Sequence, residues 1–253
     1  MFYMHSTSLV VQLIKFAKWK LFPRKITPEE IRFLDSYFPY FSYLKPAFRK
    51  EFLGKLETIL SSKRFIARGG LEKVSAEMEI LISATITMVI FGWKNLRLNH
   101  FHTILIYPNS YYSTINKVYH RGEVNPRFGL LVLSWNCFVE GMKNHGDGVN
   151  VGIHEVAHAL KLAHFITTDG EREFHPKAWL EYNQWVPAEL DKLRKGLPSL
   201  FRERAGLNEH EFFAVAIESF FERSQELKNY HPKLYQALVN LLRQDPMVLT
   251  NLP

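Results

Sequence analysis

Apolar residues recur at helical spacing over most of this chain, and in two places they condense into short unbroken runs. The first helical stretch opens at ITPEEIRFL, where Thr27 is placed to cap, Pro28 suits the first turn and Glu30 closes a capping box. Residues 27–63 continue as about two aromatic-rich helices, interrupted near Pro39 and Pro46. The pattern predicts a long helix over 72–91. No charge falls between Glu79 and Lys94, and Gly92 supplies a stop, so a buried core helix is expected rather than a membrane span. The runs HTILIYP (102–108) and GLLVLSW (129–135) are rich in Ile, Leu and Val and predict strands. Helical spacing returns over 146–164, opened by Asp147-Gly148, then over 176–195 and 208–227, and from Lys233 to about Gln244. Helices, a small sheet and helices again define an α+β class, mainly helical.

Composition adds two constraints. With 47% hydrophobic and 23% charged residues, the chain buries an ordinary globular core. Its single cysteine, Cys137 in SWNCF, rules out an internal disulfide framework, fits an intracellular setting, and is expected as a packed small residue. The net charge of +7 is concentrated at one end: residues 1–50 carry nine Lys/Arg against three acids. A nucleic-acid-binding domain carries its excess on the folded body, so no nucleic-acid partner is expected. The excess lies around SLVVQLIKFAKWKLFPRK, where Leu9, Val10, Leu13, Ile14, Ala17 and Leu21 share one helical face. Too short and too charged for a confident spanning helix, and without a small-residue cleavage site, residues 1–25 read as a basic amphipathic segment. Its alternatives are packing on its own domain, contact with a membrane surface, or a free tail.

The candidate chemistry lies in GIHEVAHAL. His154 and His158 are four residues apart, so on a helix they stand one turn apart on one face and can chelate a single Zn²⁺. Glu155, beside the first histidine, is placed to take a proton from a water on such a metal while the water attacks a peptide carbonyl. Val149, Ile153, Val156, Leu160 and Ala163 form the expected apolar stripe, with both histidines off it. Two residues are candidates for a third ligand. His164 has the spacing of the long zinc motif, but that motif needs a glycine where Lys161 stands, and a helix continuing through Lys161 carries His164 away. Glu211, in NEHEFFAVAIESFFER, is a glutamate on a later helix, the other standard solution.

Taken in order, ILIYP (104–108), LVLSW (131–135), DGVNVGIHEVAHAL (147–160), EFFAVAIESFF (211–221) and HPKLYQALVNLLRQDP (231–246) resemble the Mlc titration factor A family of zinc metallopeptidases. The catalytic end of that family is similar to the anthrax lethal factor protease domain. The resemblance implies a zincin-like fold with a small sheet beside the active-site helix, and Zn²⁺ on His154, His158 and Glu211 with Glu155 as base. Residues 26–253 are then the peptidase domain, with a helical part to about 100 and a catalytic part beyond. A peptide or protein substrate is implied, laid against the strand near 130–135. Because the namesake is linked to binding a transcriptional repressor, the alternative is a weakly active or inactive scaffold that sequesters a regulatory protein. A cytoplasmic location follows, with residues 1–25 touching the inner face of the membrane if they bind lipid. Two positions depart from the family: Lys161 replaces an aspartate, and Arg204 replaces a tyrosine that stabilises the oxyanion, so Arg204 is the candidate for that role. Glu218, seven residues after Glu211, is the candidate to orient a ligand histidine, and Trp179, Tyr182 and Trp185 are assigned to packing.

Overall fold

The computed structural model describes residues 24–113, 117–166 and 173–251. Most of the basic segment 1–25 lies outside them. The first described helices are α1 (Pro28–Tyr37), α2 (Pro39–Ser42) and α3 (Pro46–Ser62), each with proline in its first turn. Thr27 and Glu30 form the reciprocal capping box at α1. Strand β1 (Arg64–Ala67) leads to α4 (Ala76–Val89), which is buried without interruption from Ile80 to Val89. A helix apolar on all sides needs cover on all sides, and α3 and the later helix α6 (Val151–Ile166) pack against it.

The sheet follows. Strands β2 (Thr103–Tyr107) and β6 (Leu130–Ser134) are the two apolar runs; β3 (Tyr111–Ser113) and β4 (Val118–His120) pair as a separate hairpin, and β5 (Gly122–Asn125) completes the set. The main sheet runs β1-β2-β6-β5, with β1, β2 and β6 parallel and β5 antiparallel at the edge. Ser134 then caps α5 (Trp135–Lys143). After α6 come α7 (Pro176–Asn183), α8 (Val186–Arg194), a 3-10 turn (Glu203–Gly206), α9 (Glu209–Glu222), α10 (Ser224–Tyr230), α11 (Pro232–Leu242) and α12 (Pro246–Leu249).

The fold is therefore mixed α and β, mainly helical, and several expectations need correction. Helix α6 does not open at Asp147-Gly148. The Asn150 side chain accepts from Ile153 N at 3.0 Å and starts the helix there, leaving Val149 outside it and 38% exposed rather than on its apolar stripe. The stretch 176–195 is two helices, because Pro187 has no N–H to continue the ladder from α7. The stretch 208–227 is also two, parted at Arg223, whose φ of −131° leaves the helical region. Gly92 does more than stop a helix: a β-carbon there would come 2.1 Å from the Leu242 carbonyl oxygen, so its absence lets the turn after α4 touch the end of α11.

Candidate metal centre

Helices α6 and α9 carry the site between them. On α6, His154 and His158 stand one turn apart with rings edge to face, their Nε2 atoms 3.1 Å apart. On α9, Asn208 caps the helix by accepting from His210 N and Glu211 N, which fixes Glu211 in the first turn, facing α6. Its carboxylate reaches both rings: Oε2 lies 3.3 Å from His154 Nε2, and Oε1 lies 3.5 Å from His158 Nε2. Donors held about 2.0–2.1 Å from a tetrahedral zinc stand roughly 3.3 Å from one another. The three observed edges bracket that length, and all the ligand atoms lie within 4.8 Å of each other, so the donor set fits the ion.

Glu218, fully buried two turns along α9, sets the histidine chemistry. Its Oε1 lies 2.6 Å from His154 Nδ1 and pairs with Arg202, while Oε2 accepts from Asn150 N at 2.7 Å. A proton on Nδ1 donated to Glu218 leaves the Nε2 lone pair directed into the cluster. Arg204 places Nε and Nη2 on the two oxygens of Glu211. Burial disfavours charge on His154, but hydrogen bonds to Glu211 and Glu218 override it and carry the imidazole up to about 9. Burial drives His158 down. Burial also opposes ionisation of Glu211, yet its hydrogen bonds from His154, His158 and Arg204 hold it well below the usual carboxylate range.

Glu155 is 5% exposed, and burial pushes it up to about 7 against the pull of His154 and Arg204. It borders a cleft of about 590 Å³, lined also by Tyr119, Arg121 and Gly122 from the strands, Glu140 from α5, and Arg202 and Arg204. The sequence-predicted residues His154, Glu155, His158, Arg204, Glu211 and Glu218 are thus brought together. His164 is not: its Nδ1 accepts from Phe174 N at 3.3 Å, and it packs on Trp179 beyond the far end of the cluster. Lys161 also turns away, donating to the Glu209 carbonyl at 2.8 Å beside Phe213 and Trp179, where burial lowers it to about 8. Tyr182 and Trp179 pack on Phe213 of α9, whereas Trp185 lies against His231. Asn150, Arg202 and Gly122 were not singled out by sequence. Nothing in their local spacing marks them, because each acts across elements.

Two histidines and a glutamate, with a buried carboxylate beside them, form a cluster that could hold a metal ion. The chain matches the family model of the glucose-regulated metallo-peptidase M90 over residues 14–243, and it belongs to that family. Among its relatives, an uncharacterised protein of Synechocystis sp. is 27% identical over 249 residues, covering 90% of this chain and 88% of the relative. Mlc titration factor A of Escherichia fergusonii is 21% identical over 229 residues, covering 83% of this chain and 84% of the relative, in keeping with the resemblance read from the motifs.

Proposed function

We propose that the protein is a zinc-dependent peptidase of zincin-like fold, formed by residues 26–253. The observation that carries this reading is the convergence of His154 Nε2, His158 Nε2 and the Glu211 carboxylate, 3.1 to 3.5 Å from one another, next to buried Glu155. Those three residues would hold the ion, which supplies Lewis acidity toward a water and a peptide carbonyl. Glu155 accepts the proton of the attacking water and delivers it to the leaving amine. Held near 7, it is a base matched to neutral pH. Glu218 keeps the His154 ring turned and its Nδ1 protonated. A guanidinium has five donors, so the two that Arg204 commits to Glu211 leave others for the developing oxyanion. The substrate is a peptide or protein, entering the cleft beside edge strand β5, because β6, the strand expected to receive it, is paired on both sides by β2 and β5 and has no free edge.

The printed name of the Escherichia relative favours a second reading, in which the same scaffold binds and sequesters a regulatory protein such as a repressor. No helix among the described residues is long and apolar enough to cross a membrane. In our reading the protein acts in the cytoplasm, with residues 1–25 available to a membrane surface. Metal analysis coupled to a peptide-library cleavage assay tests the proposal. The expected result is about one zinc per chain, cleavage by the wild type, and none by Glu155→Gln at unchanged zinc content. Cleavage by Glu155→Gln at the wild-type rate would refute the assignment of the base.

A further inference from the structure

Gly122 is the first residue of β5 and pairs with Leu133 of β6. Side chains alternate along a strand, so Gly122 and Val124 share a face; Val124 packs on the core. At Gly122 the corresponding space is filled from outside the strand. A β-carbon built there would lie 2.5 Å from Glu155 Cγ, 2.7 Å from Oε1 and 2.8 Å from Cδ. Carbon atoms in contact sit about 3.5–4.0 Å apart, so any side chain at this position forces Glu155 to move by roughly 1 Å. Backbone conformation does not account for the glycine, since Gly122 is not among those with positive φ. Glu155 itself is nearly buried, so the contact is not with a loose, solvated chain end.

We infer that Gly122 is a positioning residue: its missing side chain lets the edge strand close directly on Glu155 and fixes where that carboxylate stands. The catalytic consequence rests on the peptidase reading above; the contact itself does not. A carboxylate displaced by about 1 Å no longer meets the proton it must accept, and misplacement on that scale costs about 10²-fold in rate. The three atoms nearest this β-carbon all belong to Glu155, so the direct clash falls on that carboxylate.

The experiment uses the full chain and combines turnover with a stability cycle. Zinc-loaded Gly122→Ala should keep wild-type zinc content and lose about 100-fold in kcat with KM little changed. Val124→Ala, which thins the same face of β5, should lose stability but keep kcat. Independently of turnover, Gly122→Ala should lower Tm by roughly 5 °C in the wild-type background. In a Glu155→Ala background, where Cγ, Cδ and Oε1 are gone, it should lower Tm far less. A merely structural glycine would cost the same in both backgrounds, and that result overturns the proposal, as does wild-type kcat in Gly122→Ala. Should Gly122→Ala fail to fold, recovery of folding in the double variant supports the contact and failure there refutes it. A wild type that cleaves nothing would remove the peptidase reading, and the stability cycle would still decide whether Gly122 positions Glu155.

Discussion

His154, His158 and Glu211 meet because other groups orient them: Glu218 for His154, the helical turn for His158, and the Asn208 cap with Arg204 for Glu211. Glu211→Ala should therefore lose most of the bound zinc, whereas His164→Ala, altering a ring packed on Trp179, should retain it; metal content after dialysis distinguishes them. Arg204→Ala should weaken zinc binding by about 10–100-fold, as loss of a partner of a ligand does, with Arg204→Lys intermediate because it keeps the charge but not the fork. Competition with a chromogenic chelator measures this. At this scale the sequence is generous where chemistry is local. The spacing of His154, Glu155 and His158 is enough to propose one metal and one base, since the turn of a helix is a fixed length. Spacing left Glu211 as one of two candidates, which the missing breaker at Lys161 and the family resemblance favoured over His164; Gly122, Asn150 and Arg202 were not readable at all, because their roles exist only once separate elements touch.

Among the elements, α6 matters most, since it carries His154, Glu155 and His158 while being buried on nearly every side. Its start depends on one side chain. Asn150 Oδ1 accepts from Ile153 N, its Nδ2 donates to Glu222, and its backbone N donates to Glu218, so cap and metal site share a residue. Asn150→Ala should cost about 1–2 kcal/mol of stability, read from urea unfolding of the zinc-free protein. The elements legible in advance were those with a capping signature, strong periodicity or an unbroken apolar run: α1, α4, α6, α9, α11, β2 and β6. Strand β5 (GEVN) escaped because a half-buried edge strand of four residues has too few positions to show alternation. The breaks after α7 and α9 are hidden for different reasons: Pro187 sits within an otherwise continuous helical pattern, and Arg223 has no breaker signature.

Across the whole molecule, the contiguous core runs from Leu34 to Leu242, and polar bonds tie its two extremes. Buried Gln244 accepts from Tyr40 Oη at 3.1 Å and donates to the carbonyls of Met88 and Val89 at 2.9 and 3.0 Å. Gln244→Ala removes the acceptor of Tyr40 Oη and the donor to the Val89 carbonyl, while Met88 O keeps the Phe91 N–H at 3.3 Å; it should cost about 2–3 kcal/mol, with unfolding still a single transition by both fluorescence and circular dichroism. The contact of Gly92 with Leu242 and Arg243 has a consequence for how the molecule is made. A ribosome releases α4 and Gly92 long before Leu242 and Gln244, which meet that turn, exist. Until Gln244 emerges, the Val89 carbonyl at the end of α4 lacks the amide partner it has in the fold. This end of the core therefore closes only when two segments far apart in the chain find each other, a late and non-local step in making the molecule.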